Sequence, residues 1–132
     1  MNIIQLLVFL IYNPKVLILD EPTLNLDSKS ISDMIALIKK LKIRYNKTII
    51  IVSHDIEFLH KLVDKIVVLS NGKIVLNNDK YSVFKDTKKI KKYGILPPKI
   101  ILFETKVLNN KGIKLGYRDE INDLIKDIFR NV

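Results

Sequence analysis

Two unbroken hydrophobic runs, in residues 16–19 and 49–52, are the clearest feature of the pattern along the chain. Neither run alternates between apolar and polar positions, and each is short. Such runs are typical of strands that are buried on both faces of a parallel sheet. We therefore predict strands at Val16–Leu19 and Thr48–Ser53. We expect the second strand, which is rich in β-branched residues, to be central in its sheet.

Between the two runs, hydrophobic residues recur at steps of three and four, which is the spacing of one face of a helix. This spacing predicts a helix over Ser28–Arg44, with Asp27, Ser28 or Ser30 as the residue that caps its start. At the start of the chain, Ile3–Ile11 is apolar on nearly all sides and predicts a buried helix. The residues expected on the buried face of the long helix are Ile31, Met34, Ile35, Ile38 and Leu41.

A hairpin is predicted after a short helix over Ile56–Val63. Its strands are Lys65–Leu69 and Lys73–Leu76, and Asn71 with Gly72 supplies the positive φ angles of a tight turn. The rest of the chain predicts helices. Lys88–Tyr93 is a charged run that we expect to be a solvated helix face. After the break at Pro97-Pro98, helices are expected at Lys99–Asn110 and Arg118–Phe129, joined around Gly112–Gly116.

The composition narrows the class of protein. At 132 residues and 48% hydrophobic residues, the chain has the size and composition of one globular domain. It has no cysteine, which excludes a disulfide framework and a Cys-based zinc site and fits a reducing compartment. Ile3–Tyr12 is too short to span a bilayer and lacks the features of a signal peptide. We therefore expect a cytoplasmic protein.

The net charge of +9 lies mostly in the second half, where residues 67–132 hold 14 basic and 7 acidic groups. A basic half could face nucleic acid or an anionic membrane. Aromatic residues are few and are not interleaved with the basic ones, as a stacking platform for bases requires. A lysine-rich solvated surface is therefore the favoured interpretation.

Asp20 and Glu21 follow the first predicted strand directly, and Pro22 ends it. Open α/β sheets bind their ligands at the carboxyl ends of their strands. One of two adjacent carboxylates there could hold a metal ion while the other orients a water molecule. Acidic residues that merely form the turn after a strand are the alternative.

The longer string around these acids resembles a known family. Leu19-Asp20-Glu21-Pro22-Thr23, followed by Leu26-Asp27, is similar to the Walker B and D-loop segment of ATP-binding cassette (ABC) ATPases. Ser53-His54-Asp55, at the end of the second strand, resembles the H-loop of the same family. The two motifs stand in the family's order, with a helix between them.

The resemblance implies an α/β fold: the C-terminal half of a P-loop NTPase domain, with mainly parallel core strands, a β-hairpin and a helical C-terminal extension. It implies that residues 1–78 are the C-terminal half of a nucleotide-binding domain and residues 79–132 the helical extension. The segment 77–84 resembles the stretch after this hairpin in importer ATPases. The helical tail resembles the C-terminal extension of energy-coupling factor importer ATPases, which take up cobalt, nickel or vitamins. No segment resembles the phosphate-binding loop or the signature motif, so we expect a truncated chain that is inactive by itself.

The resemblance also implies a role for each site residue. Asp20 is expected to hold Mg²⁺ through a water, and Glu21 to act as the general base on the attacking water. His54 is expected to contact the γ-phosphate of ATP; a surface or capping histidine is the alternative. Asp27 is expected at the interface between two nucleotide-binding domains, with a helix cap as the other possibility. His60 matches no motif and receives no role.

The function implied is that of an ATP-binding and ATP-hydrolysing subunit of an ABC importer. Its partners are a second ATPase subunit and transmembrane subunits, which hold it on the inner face of the cell membrane. Two alternatives stay open: a nucleic-acid-associated ABC-type ATPase, and a non-catalytic remnant that only pairs with another ATPase subunit. Without its first half, such a domain is also expected to leave apolar strand edges and faces exposed.

Overall fold

A computed structural model describes residues 6, 8, 10–111 and 121–130 of the chain. These residues include four strands and six helices. They fall into two compact units, unit 1 over residues 1–62 and unit 2 over residues 63–132. The expected boundary between residues 78 and 79 stays a prediction, because it concerns which segments belong to a nucleotide-binding domain and not which ones pack together.

Unit 1 is built on a parallel strand pair. Its elements are β1 (Val16–Asp20), α1 (Ser28–Arg44), β2 (Thr48–Val52) and α2 (Ile56–Leu62). The two strands pair in parallel from Val16 with Thr48 to Asp20 with Val52. The predicted order of strand, long helix and strand is therefore confirmed, and α1 has the predicted bounds.

Helix α1 begins and packs as its sequence predicts. Asp27 is the N-cap, and its carboxylate accepts a hydrogen bond from the backbone N–H of Ser30 at 2.7 Å. Met34, Ile38 and Leu41 are buried, while the other two predicted face residues are half-buried. The helix packs against α2, and the Lys42 ammonium donates to the carbonyl of Leu62 at 3.3 Å.

Two predictions are wrong for this chain: that β1 is buried on both faces, and that β2 is central in its sheet. Leu17 and Leu19 are 6% and 2% exposed, but Ile18 between them is 69% exposed. In the described residues the sheet has only these two strands, so neither is central. An apolar run permits burial on both faces but does not supply the neighbours that would cover them. The expected exposure of apolar strand faces is confirmed by Val16, Ile18, Ile50 and Val52.

Unit 2 starts with the predicted hairpin, of β3 (Lys65–Ser70) and β4 (Lys73–Asp79), which pair antiparallel. Asn71 and Gly72 have φ angles of 49° and 71°, as a tight hairpin turn requires. Helix α3 (Lys80–Lys85) packs against the hairpin with Val83 and Phe84 buried.

Three further helices complete the described part of unit 2. They are α4 (Thr87–Lys91), α5 (Lys99–Lys111) and α6 (Ile121–Arg130). The predicted charged run contains one buried residue, Ile90, which anchors α4 while the lysines around it are exposed. The two predicted tail helices are confirmed within the described residues.

Two predictions fall on other parts of the chain. Most of the helix expected over Ile3–Ile11 and the joint expected at Gly112–Gly116 lie outside the described residues. Among the helices that the structure describes, none combines the length and the apolar character needed to cross a bilayer.

Candidate active site

The candidate site forms where β1 and β2 end together. Asp20 and Val52 are register partners at the last position of both strands. The residues that follow them, Glu21 on one side and Ser53 and His54 on the other, therefore meet at one edge of the sheet. The backbone pairing continues one step further, because the N–H of Glu21 donates to the carbonyl of Val52 at 2.8 Å.

The backbone of Glu21 adopts a left-handed conformation, with a φ of 43°. This region is disfavoured for residues with a Cβ atom, so surrounding contacts have to hold it. The chain turns sharply at this point, and the N–H of Leu24 donates back to the carbonyl of Glu21 at 3.2 Å. The turn directs the Glu21 side chain towards the end of β2.

Three donors bind the Glu21 carboxylate. The backbone N–H of His54 donates to Oε1 at 3.0 Å, and Nδ1 of the His54 ring lies 2.8 Å from the same oxygen. The hydroxyl of Ser53 donates to Oε2 at 3.0 Å. Both carboxylate oxygens are thus engaged by two consecutive residues of the β2–α2 turn.

The contact between Glu21 and His54 shifts the pKa of both groups. The hydrogen bond from His54 is the largest cause that lowers the pKa of Glu21 below its ordinary 4.5. The hydrogen bond to Glu21 is likewise the main cause that raises the pKa of His54 above 6.5. The contact places a ring proton on Nδ1, because a carboxylate only accepts. The side chain of His54 is 82% exposed against 30% for Glu21, so the contact joins a solvent-exposed imidazole to a less exposed carboxylate.

Ser53 and Asp55 belong to the site, although sequence reasoning gave them no role. The backbone N–H of Asp55 donates to the Ser53 hydroxyl at 3.1 Å, and the Asp55 carboxylate accepts from the N–H of Phe58 at 3.0 Å. Asp55 therefore caps α2, and Ser53 links that cap to Glu21. The available signal was an aspartate three residues before Phe58 at the start of an apolar helix.

Asp20 ends β1 as an exposed carboxylate beside this network. Its chemistry fits Mg²⁺, which proteins often hold through one or two carboxylates, with waters and substrate phosphates completing the shell. Within the described residues, no group of three or more acids, histidines or cysteines could enclose a metal ion. Asp20 could therefore contribute to a magnesium site but could not form one without further ligands.

Two further residues were considered from the sequence, Asp27 and His60. Asp27 caps α1, which confirms the capping alternative, and the hydrogen bond from the Ser30 N–H is the largest cause that lowers its pKa. His60 lies on α2 and is 1% exposed, so it is a buried residue of unit 1.

Comparison with known proteins identifies relatives of the chain, although no protein-family profile matches it. It is 37% identical over 122 residues to the energy-coupling factor transporter ATP-binding protein EcfA2 of Clostridium perfringens, covering 89% of this chain and 42% of the relative. It is 40% identical over 116 residues to EcfA2 of Clostridium acetobutylicum, covering 88% of this chain and 37% of the relative. The chain thus spans less than half the length of these curated relatives.

A solved structure agrees with the sequence matches. CbiO1 of Clostridium perfringens, described as part of the ABC transporter complex cbiONQ, superposes with a TM-score of 0.54 at 34% identity. The match covers 71% of this chain and 38% of that one. The predicted fold class and family resemblance are confirmed: the chain is homologous to the C-terminal part of the ATP-binding proteins of energy-coupling factor transporters, which are ABC ATPases.

Proposed function

We propose that this chain supplies the water-activating half of an ATP hydrolysis site in an importer of the energy-coupling factor type. One observation carries the proposal: Glu21 and His54 are in hydrogen-bond contact at the ends of adjacent parallel strands. The relatives of the chain are ATP-binding proteins, which supports ATP as the nucleotide.

Glu21 is the general base of the proposed reaction. The carboxylate is ionised at neutral pH and can accept a proton from an attacking water, while the hydrogen bonds that lower its pKa stabilise this ionised form and make it a weaker base. Three hydrogen bonds hold it in one orientation, so the water that it binds is oriented as well. Much of the catalytic gain in phosphoryl transfer comes from such positioning.

His54 contacts the γ-phosphate in this proposal. Its Nδ1 faces Glu21, which leaves Nε2 for the substrate. The contact with Glu21 also raises the pKa of the ring and so favours the imidazolium. An imidazolium can donate a hydrogen bond from Nε2 to a phosphate oxygen, and a charge-assisted bond of this kind is stronger than a neutral one.

Asp20 would hold Mg²⁺ through a water molecule. When bound, the ion neutralises charge on the phosphates. Asp27 contributes to the contact with a second ATP-binding subunit, in addition to its role as the cap of α1. Transmembrane subunits are the other proposed partners, and they place the protein on the inner face of the cell membrane. Nucleic acid is not a proposed partner.

The phosphate-binding loop and the signature motif must come from residues other than those of this chain, because no segment of the sequence resembles them. A substrate therefore has no cradle here for its β- and γ-phosphates. We expect the purified chain to bind ATP weakly and to hydrolyse it at no measurable rate.

A chimeric protein tests the proposal. The C-terminal part of EcfA2 from Clostridium perfringens is replaced by this whole chain, joined where the two sequences align, and ATP hydrolysis is measured beside the unmodified relative. We expect an active chimera, and a loss of about a hundredfold or more in kcat in Glu21→Gln, the size typical for removal of a general base. Glu57→Gln, which removes the same charge within α2, is the matched control.

Two results would overturn the proposal. One is a folded chimera that binds ATP and hydrolyses none, which would leave the chain with a pairing role only. The other is a chimera whose rate falls equally in Glu21→Gln and Glu57→Gln, which would show that Glu21 has no special part in the reaction.

A further inference from the structure

We propose that Ser53 is a positioning residue for Glu21, which fixes the rotation of its carboxylate and so the direction in which it meets water. The inference rests on the proposed function, in which Glu21 is the general base. It extends that function by assigning a role to the hydroxyl that precedes His54.

The hydrogen bonds of Ser53 leave its hydroxyl one orientation. A serine hydroxyl has one proton to donate and two lone pairs that accept. The N–H of Asp55 donates to the oxygen at 3.1 Å, and Glu21 Oε2 lies 3.0 Å away. Since a carboxylate can only accept, the single proton of Ser53 points at Oε2.

Ser53 is also the donor that distinguishes the two carboxylate oxygens. Both hydrogen bonds from His54 end on Oε1. In the described part of the chain, Oε2 receives its hydrogen bond from Ser53 alone. The terminal torsion of a glutamate is broad and roughly two-fold. Without Ser53, the carboxylate is therefore free to swing about its bond to His54.

The position of Ser53 is in turn set by secondary structure at both ends. Val52, just before it, is the last residue of β2 and accepts from the backbone of Glu21. Asp55, just after His54, caps α2 through the N–H of Phe58. The hydroxyl thus transmits the geometry of the strand–helix turn to a glutamate whose own backbone lies in the unfavourable left-handed region.

The first test uses the whole 132-residue chain and needs no nucleotide. The pKa values of Glu21 and His54 are measured by NMR titration of labelled carboxyl carbons and imidazole protons. In Ser53→Ala we expect the pKa of Glu21 to rise towards its ordinary value, because one hydrogen bond to its charged form is lost. In Ser53→Thr, which keeps the hydroxyl, we expect the low pKa to be retained.

Ser32→Ala is the matched control, since it removes an exposed hydroxyl from α1 and should change neither pKa. If Ser53→Ala loses its fold by circular dichroism, Ser53→Cys, with a weaker donor of similar size, takes its place and should raise the pKa of Glu21 in part. A folded Ser53→Ala or Ser53→Cys protein with the wild-type pKa of Glu21 would overturn the inference.

The second test uses the chimera described above. We expect Ser53→Ala to lower kcat by about tenfold to a hundredfold, the range of a misplaced catalytic group. The KM for ATP should change little, and Ser53→Thr should restore most of the rate. If the chimera with Ser53 is inactive, the proposed function fails, while the titration still judges the positioning role. If the chimera is active and Ser53→Ala has the same kcat, the inference fails and the function stands.

Discussion

The two strand pairs of this protein differ in how they are connected and in what they carry. β1 and β2 of unit 1 run parallel and are joined through the long helix α1. β3 and β4 of unit 2 run antiparallel and are joined by the turn at Asn71 and Gly72. All the residues proposed to act on ATP, including Glu21 and His54, lie in unit 1.

Strand direction explains why the site lies in unit 1. Parallel strands bring their carboxyl ends to the same edge, so residues that are distant in sequence meet there. Glu21 and Ser53 are 32 positions apart and share a hydrogen bond of 3.0 Å. In an antiparallel hairpin, the end of one strand lies beside the start of the next. The residues that meet there are already neighbours in the sequence, and the short turn between them only connects the two strands. The parallel pair is thus the one that can assemble a site from separate segments.

The largest expected effect concerns the core of unit 1. Phe58 is 2% exposed, and we expect Phe58→Ala to lower the free energy of unfolding by about 3–5 kcal/mol, through lost burial and the cavity left behind. Denaturant unfolding measures the change. Ile43→Ala, at a position that is 80% exposed, is the control and should change stability by less than about 0.5 kcal/mol.

Phe84 allows the cores of the two units to be compared directly, because in unit 2 it is as buried as Phe58 is in unit 1, at 1% exposure. Phe84→Ala should destabilise by a similar amount. A much smaller effect in one of the two variants would show that the units differ in packing as well as in strand direction, and the explanation above would then be incomplete.

A smaller effect is expected at the hairpin turn. Gly72 has a φ of 71°, and nothing lies within 4 Å of the position that a Cβ atom would take. Gly72→Ala should therefore destabilise through backbone strain alone, by about 1–2 kcal/mol. Thermal unfolding measures the change, with Asn71→Gly as a control that keeps both positive φ angles accessible. Full stability in Gly72→Ala would mean that the turn does not determine the pairing of β3 with β4.

The smallest effect is a dependence on pH at the site of unit 1. The lowered pKa of Glu21 contributes stability above pH 4.5 that is lost as the pH falls through its folded-state pKa. The raised pKa of His54 contributes stability below pH 6.5 that is lost as the pH rises through its folded-state pKa. Both contributions are therefore complete between pH 4.5 and 6.5.

An NMR titration of the His54 ring checks this window. Wild-type protein should show a pKa above 6.5, and Glu21→Gln should bring that value down towards 6.5. The variant Asp33→Asn, which neutralises an exposed carboxylate on α1, is the control and should leave the pKa of His54 unchanged. A pKa of His54 that is the same with and without Glu21 would contradict the contact seen between them.

Features that depend on neighbours along the chain were predictable. Helix α1 has its predicted bounds of Ser28–Arg44, because its hydrophobic spacing and the cap at Asp27 are local signals. The turn at Asn71 and Gly72 follows from the φ angles that these two residues tolerate. The placement of Asp20 and Glu21 at the end of β1 follows from the apolar run that precedes them.

Features that depend on which segments meet were not predictable in the same way. Val16 and Ile18 belong to an unbroken apolar run, yet they are 50% and 69% exposed. Burial of a strand face requires another element to cover it, and an apolar run in the sequence does not indicate whether such an element is present. Ser53 appeared only as the residue before His54, since a hydroxyl has no partner until its surroundings are assembled.

By itself, the sequence determined the order of the elements, the buried face of α1, the hairpin turn and the two carboxylates that follow the first strand. All of these depend on local spacing and on backbone preferences. Only the tertiary structure decided that His54 binds one oxygen of Glu21 and that Ser53 binds the other. The physical reason is that a side-chain hydrogen bond requires alignment within a few tenths of an ångström, which two segments 32 positions apart acquire only when β1 and β2 pair in register.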